Sequence, residues 1–150
     1  MSDGFSGPHL SAAFLCEKVL QERDGVVSFI RVVDRFVRPK PTPQIPPQLI
    51  QAVLVIGLKA GVMGSGKIAI KIRLYKPNAV TPIADLDNEA FFEGSQDSGV
   101  NIITPFVLVA DEEGLYWIDV LFVDDVITRI PLRVIFATIP AQQLQAHPGV

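Results

Sequence analysis

Apolar and polar positions along this chain alternate with a period of two. In Ile68-Ala69-Ile70-Lys71-Ile72-Arg73-Leu74-Tyr75, the isoleucines and Leu74 fall on one side, with Lys71, Arg73 and Tyr75 on the other. Successive side chains of an extended strand point to opposite faces of a sheet, so this segment predicts a half-buried strand. Leu115–Val123 sets Tyr116, Ile118, Val120 and Phe122 on one face. Val126–Phe136 groups Val126, Ile130, Leu132, Val134 and Phe136, with Arg129 and Arg133 opposite. Pro131 has no backbone donor, which predicts an edge strand or a kink there.

Leu49–Lys59 and Pro105–Ala110 are continuously apolar and rich in valine and isoleucine. With Pro and Gly at their ends they read as central strands covered on both faces. Turn chemistry stands at Gly61–Gly66, Asp111–Gly114 and Asp124-Asp125, so the last three strands are expected to form a meander. The segment 26–37 also fits a helical stripe, with Asp24 as a cap. Its valines and isoleucine are stiff in helices, and this favours two strands, 12–20 and 26–37, joined at Glu22-Arg23-Asp24-Gly25. Pro39–Pro47 reads as a stiff crossover between sheets, with a polyproline ligand as its functional alternative. Pro77–Asn101 is polar and acidic, with room for one short element around Ala90-Phe91-Phe92. Seven or eight strands with so little helical pattern predict a single all-β domain over 11–140: an antiparallel β-sandwich, jelly-roll-like, between tails 1–10 and 141–150.

Composition changes this picture in three respects. At 150 residues the chain can bury a core without staples, and its one cysteine, Cys16, permits no intrachain disulfide and no thiolate zinc site. No signal segment and no apolar run of membrane-spanning length is visible, so a cytoplasmic location is expected. A net charge of −3 argues against nonspecific nucleic-acid binding. A hydrophobic content of 49% fits either strands buried on both faces or an apolar surface covered by a protein partner, self or other.

Two stretches carry a resemblance. Ala13-Phe-Leu-Cys-Glu-Lys-Val-Leu20 with Asp24-Gly-Val-Val-Ser-Phe-Ile-Arg-Val-Val-Asp34, and Gly114-Leu-Tyr-Trp-Ile-Asp-Val-Leu-Phe-Val-Asp-Asp125 with Ile130-Pro-Leu-Arg-Val134, resemble the two ends of a family of small uncharacterised bacterial β-sandwich domains. The resemblance implies the fold and brings no activity, cofactor or catalytic residue with it.

Motifs that could carry chemistry meet physical objections. Gly61-Val-Met-Gly-Ser-Gly-Lys67, with Asp111-Glu112 after an apolar strand, imitates a nucleotide-binding loop. That loop needs a Ser or Thr after the lysine and a helix starting there; Ile68 follows instead and opens a strand. Asp85, Asp87, Glu89, Glu93 and Asp97, read as one loop region, suggest a C2-like calcium-dependent membrane module, although Asp111–Glu113 and Asp124-Asp125 flank one strand and belong at opposite ends. His9 and His147 sit in the polar termini, and Cys16 reads as a packing residue, so no catalytic, cofactor or metal site is assigned. Arg31, Arg35, Lys71, Arg73, Arg129 and Arg133 lie on the polar sides of strands and form a candidate interaction face, near Tyr75 and Trp117. The resulting expectation is a noncatalytic interaction or structural module, with self-association open.

Overall fold

The computed structural model describes residues 7–63, 65–94 and 98–138. Among them the chain forms β1 (His9–Gln21), β2 (Val27–Val33), β3 (Arg35–Pro39), β4 (Gln48–Lys59), β5 (Ser65–Tyr75), β6 (Ala84–Glu93), β7 (Gly99–Ala110), β8 (Gly114–Phe122) and β9 (Asp125–Ala137). A single 3-10 turn, Gly61–Met63, precedes β5. The strands build a four-stranded sheet ordered β2-β1-β4-β7 and a five-stranded sheet ordered β3-β9-β8-β5-β6. The protein is therefore an all-β sandwich. No helix among the described residues is long and apolar enough to cross a membrane.

The alternation seen in the sequence is the alternation of burial. Ile68, Ile70, Ile72 and Leu74 of β5, Tyr116, Ile118 and Val120 of β8, and Ile130, Leu132 and Val134 of β9 enter one buried cluster. Facing them are Ile50, Leu54, Ile56 and Leu58 of β4 with Ile102, Phe106 and Leu108 of β7. Burial of these faces removes apolar surface from water, which is the main favourable term in folding. Tyr116 sits in the core with its hydroxyl donating to the Glu112 carbonyl at 2.7 Å, and burial pushes the phenol up to about 12.

Several expectations are corrected by topology. The segment read as one strand over 26–37 is two: β2 ends at Val33, β3 starts at Arg35, and the two belong to different sheets. That split, together with β6 inside the polar stretch, gives nine strands where seven or eight were expected. β3 pairs with β9 in parallel, so the five-stranded sheet is mixed. The last three strands are not a meander, because β7 belongs to the other sheet and only β8 and β9 form a hairpin. β7 is an edge strand, and Pro105, Val107 and Val109 alternate as exposed positions with buried Phe106, Leu108 and Ala110.

Pro131 is neither on an edge strand nor at a register break. β9 lies between β3 and β8, and Pro131 sits in register with Trp117. The Arg133 amide points towards β3 and bonds the Asp34 carbonyl at 2.9 Å. Two residues earlier the backbone nitrogen points the same way, beyond the start of β3 at Arg35, so the missing donor forfeits no ladder bond. His9, expected in a polar terminus away from any strand, opens β1 and pairs in register with Lys59. His147, Asp97, the 141–150 tail and 1–6 of the N-terminal tail lie outside the described residues.

The β8–β9 turn places Val123 at φ 48° and Asp124 at φ 65°, the geometry of a tight two-residue hairpin. A β-branched residue in this left-handed region is strained, and the Val123 side chain is largely in solvent. Val123→Asn is expected to stabilise the fold by about 1 kcal/mol in urea unfolding. Along β7, Leu108→Ala should cost about 3 kcal/mol and Val107→Ala no more than about 0.5 kcal/mol, because only the first residue faces the opposite sheet.

Candidate functional site

The outer face of the five-stranded sheet is built by register. Asp85 of β6 lies opposite Arg73 of β5, Arg73 opposite Asp119 of β8, and Asp119 opposite Arg129 of β9. Acid and base thus alternate across four strands. Arg73 Nε meets Asp85 Oδ2 at 3.3 Å, and this bond raises the Arg73 guanidinium above its ordinary value. Arg129 Nε meets Asp119 Oδ1 at 2.7 Å, with its guanidinium 4.7 Å from the centre of the Trp117 ring. Asp119 is the one buried charged residue among those described, 6% exposed. One row along, Lys71 faces Asp87 at 3.9 Å, and Lys67 reaches Glu89 at 4.0 Å. Exposed pairs of that length are worth little, whereas Asp119 has given up water for Arg129.

The six cations of the candidate face are thereby distributed. Lys71, Arg73 and Arg129 are interleaved with carboxylates of β6 and β8. Arg35 and Arg133 lie opposite one another across the parallel pair. Arg31 belongs to the four-stranded sheet, where its Nε meets Glu17 Oε1 at 3.3 Å. The structure also groups Arg31 and Arg35 with Arg38, which the sequence reading left out, around one cleft of about 450 Å³. Glu17, Val33, Phe36, Val37 and Gln51 complete its lining.

The other candidate motifs are placed as follows. Gly61–Met63 is one 3-10 turn and Lys67 stands within β5, so no helix N-terminus follows the glycines to meet a phosphate. Gly64 lies outside the described residues. The acids at 85, 87, 89 and 93 sit on a strand, not in a loop, and the first three face cations of β5. Among the described residues no group of three or more His, Cys, Asp or Glu could hold a metal ion. Asp111 is engaged by Lys76 at 2.9 Å, a bond that raises the ammonium, and Glu113 Oε2 accepts from the Phe136 amide at 2.7 Å. Cys16 is fully buried and its thiol is pushed up by desolvation, which suits packing and not nucleophilic attack.

The third surface is the outer face of the four-stranded sheet. In register across β4 and β7 stand Leu49 with Val109, Gln51 with Val107, Val53 with Pro105, and Val55 with Ile103. Leu49, Val109, Val107 and Ile103 are 50%, 48%, 57% and 41% exposed, and the block holds no charged side chain. On β1 and beside it Val55 and Cys16 are buried, while Val32 of β2, in register with Cys16, is 62% exposed, and the Phe29 ring packs edge-on against Phe14 at 4.9 Å between centroids. The sequence had signalled the apolar content of Pro105–Ala110, but only strand order shows that half of it meets solvent.

Asp119→Ala is expected to destabilise the fold by about 1–2 kcal/mol, reduced from a fully buried pair because Arg129 is half exposed. Lys67→Gln should change stability by no more than about 0.5 kcal/mol. A double-mutant cycle on Asp119 and Arg129 in urea separates the pair from its surroundings.

Comparison with known proteins bears on the fold's relatives. Three crystal structures of a β-glucosidase from Listeria innocua, in complex with glucose, isofagomine and gluconolactone, align at TM-scores of 0.43, 0.43 and 0.42 with 11%, 11% and 13% identity. Each alignment covers 71% of this chain and 15% of the glucosidase chain, a likeness too slight to carry an argument. No curated protein matches the chain. The model of a family of unknown function, DUF6941, matches residues 11–135, and the chain belongs to that family.

Proposed function

We propose that this protein is a noncatalytic interaction module that associates with a second copy of itself through the outer face of the four-stranded sheet. The support is the uncharged block of Leu49, Ile103, Val107 and Val109, half exposed on adjacent strands. Contiguous exposed apolar surface is uncommon on a monomer and marks sites that a partner covers. An uncharged block is matched by another such block. The outer face of the five-stranded sheet, with its alternating acids and bases, does not supply one, whereas the same face of a second copy does so across a two-fold axis. Edge pairing is disfavoured, because Pro105 interrupts the donors of β7 on an edge strand.

The noncatalytic part of the reading rests on the state of the candidate groups. Cys16 is buried, Asp85, Asp87 and Glu89 of β6 are spread along a strand and ion-paired, and Asp111 is paired with Lys76. None is held beside a desolvated acid–base partner in a cleft, which general acid–base or nucleophilic chemistry requires.

Light scattering and native mass spectrometry are expected to give a dimer that Val107→Lys with Val109→Lys converts to a monomer. Both side chains point to solvent, so the double variant should keep the parent circular dichroism. A monomer at the highest soluble concentration, or a dimer that survives the double variant, overturns the proposal.

A further inference from the structure

The chain leaves one sheet for the other at Asp34, the single residue between β2 and β3. This corner brings together residues that the sequence spreads from 17 to 51. Glu17 of β1, Arg31 and Val33 of β2, Arg35, Phe36, Val37 and Arg38 of β3, and Gln51 of β4 line the 450 Å³ cleft. Pockets of that size suit small molecules. Three guanidinium groups against one carboxylate leave an excess of two positive charges around it.

The arginines are not equivalent. Arg38 is fixed from two sides: its Nε donates to the Leu49 carbonyl at 3.3 Å and its Nη1 to the Val37 carbonyl at 2.9 Å. Its Cζ also lies 5.5 Å from the centre of the Phe36 ring. Arg31 is held by Glu17 and adopts φ 55°, a left-handed conformation that a non-glycine residue keeps only where its surroundings impose it. Such residues concentrate at ligand sites. Arg35 has no carboxylate partner among the described residues and stands in register with Arg133, an arrangement of like charges that costs stability.

We propose that this corner cleft binds a small oxyanion carrying two or more negative charges, a phosphate-bearing or polycarboxylate compound. Arg38, pinned by backbone carbonyls, and Arg35, which has no carboxylate partner among the described residues, border one cleft, and guanidinium forks match the paired oxygens of such a group. The bound anion offsets the Arg35–Arg133 repulsion, and the Gln51 amide offers a neutral donor on the opposite wall. The cleft borders the Leu49–Val109 block and shares Gln51 with it, and its test reads anion binding, not oligomeric state.

The test is calorimetric titration and thermal melting of the full chain with pyrophosphate and with citrate, each against sodium chloride at equal ionic strength. Saturable binding and a rise in melting temperature of about 5 °C at a hundredfold excess over Kd are expected. Binding of pyrophosphate alone identifies a phosphate ligand, and binding of citrate alone a polycarboxylate. Arg35→Gln, at an exposed side chain, should weaken binding at least about tenfold, the loss of one charge-assisted contact. Arg73→Gln, on β5 and outside the cleft lining, should bind as the parent does. The proposal is overturned if neither anion binds beyond the chloride control, or if Arg35→Gln binds as tightly as the parent.

Discussion

The packing of two apolar sheet faces against each other is the interaction on which everything else in this molecule depends. Ile70, Ile72, Ile118, Val120 and Leu132 from one sheet and Leu54, Ile56, Phe106 and Leu108 from the other close one core. Each strand must present its apolar side to that core, and strict alternation then leaves every other residue outside. The chain also has to pass between the layers repeatedly, and those passages set the shape of the surface. At Asp34 a single residue separates strands of different sheets, and residues 111–113 do the same between β7 and β8.

The two outer faces answer the same constraint in different ways. On the five-stranded sheet, cross-strand neighbours are charged with alternating sign, from Asp85 through Arg73 and Asp119 to Arg129. Local attraction there replaces the net basic face that six like-charged positions suggest when read separately. On the four-stranded sheet the outward residues of β4 and β7 are aliphatic, and part of that surface is left to solvent. A charged face keeps a domain soluble, while an aliphatic one gains free energy when another surface covers it.

The corner cleft is a by-product of the sheet switch. Crossing between layers at Asp34 turns β3 away from β2, and the space between them is bordered by Arg31, Arg35 and Arg38. The strained φ of Arg31 and the like-charged pair of Arg35 with Arg133 are both local costs. Local costs at a polar concavity, with Arg38 already fixed by the Leu49 and Val37 carbonyls, are the kind of arrangement that a ligand relieves.

By itself the sequence determined which side of β5, β8 and β9 is buried. The period-two pattern of Ile68–Leu74, Tyr116–Val120 and Ile130–Val134 matches the core residue for residue, since alternation is a property of the backbone alone. It also determined that Gly61–Lys67 opens a strand, because Ile68 begins an alternating run. Asp119 falls on the outer side of β8 by alternation, and its burial against Arg129 came from strand pairing and not from the sequence pattern. Strand order, the parallel β3–β9 pair, the edge position of β7 and the meeting of Arg31, Arg35 and Arg38 were decided only by tertiary structure. Those features depend on which strands pair at long range and on which layer each one joins. Local periodicity is the same for a central strand and an edge strand, and for either sheet, so it carries no information about them.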